Sequence, residues 1–303
     1  MTLRKAYKTQ DIYPSFQTEV KAETSLDISE QLAMLKFYCG KNTKTDKCCF
    51  THLVGLPQHP ATMNPMKFMP HQIDLIKQSM VKKQVKFHVN KSRQIGLTEI
   101  VLRIIQYHSF GKYKGGKILI IAGTREKTTK TVMLRLKALF NDIHSTVKDD
   151  RNDLHIVLKN GTEFEGKPSN SEAIRGETKI RAVVIDEAAH FGLVDDSVVL
   201  DAVEPILHTN KSDVFLVSTP KGQRGFFYEI SKEDNDYKKL HYDYTNAIGW
   251  IYTAQEMDEE LKRTDIDVDQ EFRCQYTSAR SSIFGVITDE ALEDFEVEEY
   301  GNN

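Results

Sequence analysis

Short apolar runs alternate with amphipathic stretches along most of the chain. Residues 85–89 (VKFHV) and 117–123 (KILIIAG) have the apolar content of buried β-strands, and residues 97–107 between them place apolar side chains on one helical face. Two more apolar runs follow at 181–188 (RAVVIDEA) and 213–220 (DVFLVSTP). This alternation predicts an α/β fold with a mostly parallel sheet and helices on both faces.

Three local patterns add further elements to this fold. A long helical pattern covers residues 125–144. The pair Asn160-Gly161, between two alternating runs, predicts a β-hairpin. Thr253 and Glu256 form a capping-box pair that begins a predicted surface helix.

The same pattern divides the chain into three parts. Residues 1–65 are predicted to form a small N-terminal lead-in or lid subdomain, with one helix over residues 25–39. The strands and helices of the main domain fall within residues 66–285. Residues 286–303 are acidic and are expected to form a loose tail.

Composition narrows the setting. The net charge of −3 over 303 residues gives no global basic signature, so contacts with nucleic acid are expected only from a local patch. The sequence has no apolar run long enough to span a bilayer, and the N-terminus lacks the apolar stretch of a signal peptide. Four cysteines in a chain of this size favour a reducing, cytosolic location over secretion.

Cysteine and histidine residues cluster near the N-terminus, at Cys39, Cys48, Cys49 and His52. The cluster contains no C-x-x-C pair, and adjacent cysteines rarely bind one ion. Ordinary thiols are therefore favoured over a zinc site.

The segment KSRQIGLT, residues 91–98, matches a phosphate-binding loop except at one position. Gly96 and Thr98 stand where the G-x-x-x-x-G-K-[ST] pattern requires them, but Leu97 replaces the lysine. The backbone N–H groups at the start of the following helix attract anions, and the Thr98 hydroxyl is a potential Mg²⁺ ligand. Lys91, five positions before Gly96, is placed to supply the missing charge, because lysine acts on phosphate as a point charge. The alternative is that Lys91 is a solvated surface residue.

Asp186 and Glu187 end one of the apolar runs. Open α/β sheets place ligands at the carboxyl ends of their strands. This position suits a Walker-B pair, in which Asp186 holds Mg²⁺ and Glu187 activates the attacking water. The alternative is a strand that ends in two solvated acids.

Two further groups suit a nucleotide motor. Gln72 precedes the first strand and has the amide needed to bind adenine, with Phe68 or Pro70 against the ring. Ser218 and Thr219 follow the strand after the paired acids, where they are placed to sense the γ-phosphate.

In their order, these motifs resemble those of the large terminase subunits, the ATPase motors that package DNA into the capsids of tailed viruses. The resemblance runs from about Gln72 to Phe284. The segment KSRQIGLT is similar to a variant Walker A loop of that family in which the lysine stands at the start of the loop. The resemblance therefore implies that Lys91 is the displaced lysine, in a RecA-like P-loop NTPase fold of the ASCE class that uses ATP and Mg²⁺.

The resemblance also implies a full set of site residues. The implied ATP-binding residues are Gln72, Lys91, Ser92, Arg93, Gln94, Ile95, Gly96, Leu97 and Thr98. The implied Mg²⁺ ligands are Thr98 and Asp186, the implied catalytic glutamate is Glu187, and the segment Ser218, Thr219 and Pro220 matches the coupling motif.

Two arginines match positions that the family proposes for an arginine finger, the residue that stabilises charge in the transition state. Arg175 is expected to act on the ATP of a neighbouring subunit, and Arg93 is the alternative within the same subunit. Arg175 is favoured because a finger from a neighbour couples hydrolysis to motion of a ring. Each arginine is otherwise a surface or ion-pair residue.

The resemblance further implies partners and a location. These are double-stranded viral DNA, the capsid portal protein, the small terminase subunit and further copies of the chain in a ring, expected to be a pentamer, on the portal. The expected location is the host cytoplasm during virion assembly, with no membrane contact. Large terminases normally continue into a nuclease domain, for which the residues after Phe284 leave no room, so no nuclease activity is expected.

Two alternatives remain open. A DExx helicase shares the glutamine, the paired acids and a Ser-x-Thr-like element, but the roughly 80 residues after Pro220 are too few for its second domain. A catalytically degenerate nucleotide-binding protein is the other alternative if Leu97 marks a lost lysine. The intact pair Asp186 and Glu187 argues against that second alternative.

Overall fold

The structure, a computed structural model, describes residues 50–80, 83–123, 126–169, 174, 176–191 and 197–277. The predicted helix over residues 25–39, the three N-terminal cysteines, the acidic tail and Arg175 lie outside these residues. The predicted domain boundaries therefore stay predictions.

One sheet of eight strands forms the centre of the described chain. The strands are Lys86–Lys91 (β1), Lys117–Ala122 (β2), Val147–Asp149 (β3), His155–Leu158 (β4), Glu163–Lys167 (β5), Ile180–Asp186 (β6), Asp213–Ser218 (β7) and Lys238–Tyr242 (β8). The described α-helices are Phe50–Val54 (α1), Pro70–Ser79 (α2), Leu97–Ser109 (α3), Glu126–Leu139 (α4), Ser197–Asn210 (α5), Gly225–Lys232 (α6), Ala254–Leu261 (α7) and Val268–Glu271 (α8).

The strand order is β3-β4-β5-β2-β6-β7-β1-β8. All neighbours pair in parallel except β3 with β4 and β4 with β5, which are antiparallel. This confirms the predicted α/β fold with a mostly parallel sheet. Because β7 lies between β1 and β6, the carboxyl ends of these three strands meet at one edge of the sheet, where open α/β sheets bind ligands.

Helices cover both faces of the sheet, as the alternation of residues in β7 illustrates. Phe215 and Val217 belong to an apolar cluster that includes buried side chains of α2 and α3. Val214 and Leu216 belong to a second cluster, with buried side chains of α5 and α6. A strand buried on both faces has a continuous apolar sequence, which is the pattern from which this strand was predicted.

The shorter predicted elements also form, with shifted ends. Strands β4 and β5 make the predicted hairpin, and Gly161 in its turn has φ +84°, a conformation that favours glycine. The helix predicted over residues 125–144 is interrupted, because α4 ends at Leu139 and a 3₁₀ helix covers Asn141–Thr146. Helix α7 begins with the predicted capping box. No helix in the described part of the chain is long and apolar enough to cross a membrane.

His88 is a buried histidine in the middle of β1. Its ring stacks on Phe227 of α6 with 4.0 Å between ring centroids, and its Nε2–H donates to the Phe227 carbonyl at 2.8 Å. Burial lowers the pKa of His88 from 6.5 to about 4. The fold therefore holds this ring neutral, and protonation of the unfolded chain competes with folding as the pH falls.

We expect His88 to make the protein less stable in mild acid. A pKa depressed in the folded state contributes stability that is present above pH 6.5 and is lost as the pH falls towards 4. Between pH 7 and pH 5 this loss is about 2 kcal/mol of unfolding free energy. Urea unfolding at both pH values, compared with His88→Phe, measures it. An equal loss in the variant would contradict the prediction.

Candidate active site

The loop after β1 joins the sheet to α3 at the edge described above. Gly96, the residue before α3, has φ +76°, and Gln94 has φ +59°. The left-handed conformation at Gly96 turns the chain sharply into a helix of 13 residues, whose first N–H groups face the end of the sheet. This is the strand–loop–helix geometry that a phosphate-binding loop requires.

The structure brings the two predicted Mg²⁺ ligands together. The Thr98 hydroxyl at the start of α3 donates to Oδ1 of Asp186 at the end of β6, with 2.9 Å between the oxygens. Asp186 is only 5% exposed. Burial raises its pKa to about 6, and the neighbouring Glu187 acts in the same direction, whereas Lys91 and the Thr98 hydroxyl lower the pKa.

Lys91 occupies the place that the displaced lysine needs. It is the last residue of β1 and is only 6% exposed, so the prediction of a solvated surface residue is wrong. Its Nζ atom lies 3.9 Å from Oε1 of Glu187. Leu97, at the position of the usual lysine, is 1% exposed and belongs to the core. The charge beside the carboxylates therefore comes from the strand end.

Glu187 has an unusual backbone. Its φ of +56° is in the left-handed region, which costs a non-glycine residue about 1–3 kcal/mol when the surroundings force it. The conformation begins a turn after β6 and leaves the Glu187 side chain 38% exposed at the edge of the sheet. A partly exposed carboxylate held beside a buried lysine is suited to accept a proton from water.

Gln72 lies at the site, but its amide bonds within the protein. Its Oε1 accepts from the Met69 N–H at 3.1 Å, and its Nε2 donates to the Ile95 carbonyl of the phosphate-loop segment at 3.4 Å. The interpretation of Phe68 as an adenine-stacking side chain is wrong, because Phe68 is buried against Phe50, with 5.9 Å between ring centroids. Pro70, the other candidate, is exposed.

Segments from the C-terminal part of the described chain support the phosphate-binding loop, and the sequence did not predict them. The Ser92 N–H donates to the carbonyl of Tyr242 in β8 at 2.8 Å, and the Arg93 N–H donates to the carbonyl of Glu271 in α8 at 2.8 Å. The Arg93 side chain, 3.8 Å from the Glu271 carboxylate, is half exposed. These contacts hold the loop backbone between two later elements.

The predicted coupling residues contact the turn that follows β6. Ser218 Oγ accepts from the Ala189 N–H at 3.1 Å, and Thr219 Oγ1 lies 2.9 Å from Nε2 of His190. Pro220 is buried beside them. The sequence analysis did not single out His190, although its position three residues after Glu187 was the available signal.

The residues present fit Mg²⁺ and a nucleotide phosphate. Asp186 and Thr98 supply the oxygen ligands that Mg²⁺ prefers, and Lys91 supplies a buried cation. Among the described residues, no group of three or more His, Cys, Asp and Glu side chains could hold a metal ion alone. Mg²⁺ suits such a site, because it usually retains waters and phosphate oxygens as ligands.

Comparison with known proteins identifies the family. The family model of the N-terminal part of the terminase large subunit, T4likevirus type, matches residues 89–288. The chain belongs to this family. The matched residues include the loop after β1, both Walker-B acids and the coupling residues of this large terminase chain. No curated protein sequence matches it.

Solved structures of large terminases share the fold. The large terminase ATPase domain of Thermus phage P74-26 matches with a TM-score of 0.54 and 22% identity, over 75% of this chain and 97% of that one. The HK97 bacteriophage large terminase matches with a TM-score of 0.56 and 14% identity, over 75% of this chain and 54% of that one. A large terminase from another thermophilic bacteriophage matches with a TM-score of 0.56 and 14% identity, over 70% of this chain and 54% of that one. This terminase chain therefore has the predicted RecA-like P-loop fold.

Proposed function

We propose that this chain is the ATPase motor of a viral large terminase, which couples ATP hydrolysis to translocation of double-stranded DNA into a procapsid. The observation that carries the proposal is the convergence of three groups at one edge of the sheet. These are the buried Lys91, the hydrogen-bonded pair Thr98 and Asp186, and Glu187 beside Lys91. A cation, a pair of oxygen ligands and a general base are the parts that phosphoryl transfer to water needs.

Each residue has a role in this proposal. Thr98 and Asp186 would hold Mg²⁺, which when bound neutralises charge on phosphate oxygens. Lys91 exchanges its contact with Glu187 for one with the outer phosphates of ATP, since a phosphate oxygen carries more charge. Glu187 then orients the attacking water and accepts its proton.

The coupling motif links this chemistry to movement. Ser218 and Thr219 end the strand between β1 and β6 and contact the turn that begins at Glu187. A shift of that turn on phosphate release therefore changes the surroundings of the coupling motif. We propose that this shift drives the subunit against DNA, within a ring, expected to be a pentamer, assembled with the portal and the small terminase subunit in the host cytoplasm. The expected lack of nuclease activity stays a prediction.

ATP hydrolysis with and without DNA tests the proposed function. We expect double-stranded DNA to stimulate turnover of portal-assembled copies, with little DNA affinity in the isolated chain because its net charge is −3. DNA binding should weaken steeply with salt, because it rests on Lys and Arg contacts to phosphates. Turnover that requires single-stranded nucleic acid and is accompanied by strand separation would contradict packaging and favour a helicase.

We propose that the arginine finger acts between subunits, through Arg175. Arg175→Ala and Glu187→Gln are each expected to be inactive alone. In an equal mixture, about a quarter of the ring interfaces combine an intact Glu187 with an intact Arg175 from the neighbour. ATPase assays of the mixture should therefore recover a comparable fraction of wild-type activity. Absence of recovery, together with an inactive Arg93→Ala, would place the finger within one subunit.

A further inference from the structure

The Glu187 carboxylate lies between two side chains that face its two oxygens. Lys91 Nζ is 3.9 Å from Oε1, and His190 Nε2 is 3.7 Å from Oε2. The same His190 nitrogen is 2.9 Å from Thr219 Oγ1. One imidazole nitrogen therefore faces both the proposed general base and the hydroxyl of the coupling motif.

The backbone fixes this arrangement. The Ala188 N–H donates to the Val217 carbonyl at 3.2 Å, and the His190 N–H donates to the Glu187 carbonyl at 2.8 Å. The turn from Glu187 to His190 is thus tied to the end of β7 and closed on itself. His190 can move little relative to Glu187 or Thr219 unless the turn itself moves.

The proton of the neutral ring is assigned to Nε2. Burial lowers the pKa of His190, so the ring is neutral at pH 7 and carries its proton on one nitrogen. A carboxylate attracts only a nitrogen that carries hydrogen, and Nε2 is the nitrogen near Glu187. The Nε2–H then donates to Thr219 Oγ1, the closer acceptor.

We propose that His190 is a positioning residue that ties the Glu187 carboxylate to the Thr219 hydroxyl. The inference rests on the proposed function, because it assumes that Glu187 acts on water and that Thr219 belongs to the coupling motif. Lys91 leaves Glu187 when it binds phosphate, so His190 is the remaining neighbour that keeps the Oε2 side in place. Any movement of Thr219 is then passed to the general base.

Two near-isosteric substitutions separate this role from simple packing. His190→Gln places an amide N–H close to the position of Nε2, whereas His190→Asn places it close to Nδ1. We expect His190→Gln to retain at least about a third of the wild-type kcat, and His190→Asn to lose about 10- to 100-fold. The KM for ATP should change little in both, because His190 is not expected to touch the nucleotide. His208→Gln on α5, an exposed histidine away from the site, is the control and should match wild type.

The partner hydroxyl gives a second test of the same link. Thr219→Ser keeps the acceptor and should remain active, whereas Thr219→Val removes it and should lose as much kcat as His190→Asn. Because both substitutions break one link, the double variant His190→Asn/Thr219→Val should be no slower than the slower single variant. Thermal unfolding of each variant checks that the fold is intact.

The outcomes are distinguishable from failure of the proposed function. If the wild-type ring does not hydrolyse ATP, the proposed function fails first. If wild type is active but His190→Gln and His190→Asn are equally active or equally impaired, the link through Nε2 is wrong and only this inference falls. Additive losses in the double variant, or a loss confined to KM, would also overturn it.

Discussion

Replacing Lys91 with alanine is expected to reduce ATP turnover by about 10²-fold or more. The physical reason is position, since Lys91 is a buried cation beside both Walker-B acids and is the only lysine of the loop segment at residues 91–98. Without it, the charge that develops on the transferred phosphoryl group has no cation from the loop start. Lys91→Met, which keeps the side-chain volume, should show the same loss in a steady-state ATPase assay.

Lys86 provides a matched control on the same strand. It lies at the other end of β1 and pairs with Asp236, with 2.6 Å between Nζ and Oδ2. Lys86→Met removes a lysine from β1 without touching the site, so its turnover should stay close to that of wild type. Near wild-type turnover in Lys91→Met would show that the phosphate charge is neutralised elsewhere.

Leu97 is not a suitable control, although it occupies the position of the usual P-loop lysine. Its side chain is buried in the core, so Leu97→Ala leaves a cavity and costs about 2–5 kcal/mol of stability. A loss of activity in that variant would report partial unfolding. The burial also explains the displaced lysine, because a charged side chain in the conformation of Leu97 would enter apolar surroundings.

Glu187→Gln is expected to bind ATP but to hydrolyse it about 10²- to 10⁴-fold more slowly. The amide keeps the size of the side chain and cannot accept a proton from water. Thr98, Asp186 and Lys91 are unchanged, so nucleotide affinity should be retained. Single-turnover hydrolysis and equilibrium binding of a fluorescent nucleotide measure the two quantities separately.

Glu163 gives the matching control for this substitution. Its side chain is 40% exposed on β5, away from the site, compared with 38% for Glu187. Glu163→Gln should leave hydrolysis unchanged. If Glu187→Gln turns over ATP at the wild-type rate, another group activates the water.

The sequence predicted the central part of the fold because burial leaves a plain pattern there. The apolar runs that became β2, β6 and β7 lie between two layers of helices, so nearly every residue in them is apolar. Strand β8, with the sequence KKLHY, lies at the edge of the sheet and buries only Leu240 and Tyr242. Its short, charged sequence carries too weak an alternation to predict an edge strand.

The candidate site was predictable where its residues follow strand ends. Lys91, Asp186 and Ser218 each end a strand, and three parallel strand ends at one sheet edge necessarily converge. The supports of the site depend on long-range contacts that leave no local signal. Glu271 lies far from Arg93 in sequence but accepts its N–H, and the bonds that hold the Gln72 amide depend on the conformation of the loop.

The most direct test of the displaced-lysine site is a crystal structure of the chain with Mg²⁺ and a non-hydrolysable ATP analogue. The account predicts that Lys91 Nζ leaves Glu187 and lies within hydrogen-bond distance of the β- and γ-phosphate oxygens, about 2.7–3.2 Å. It also predicts that Thr98 and Asp186 lie beside the metal ion and that Glu187 faces the γ-phosphate. A structure in which Lys91 stays against Glu187, while another lysine or arginine of the chain contacts those phosphates, would contradict it.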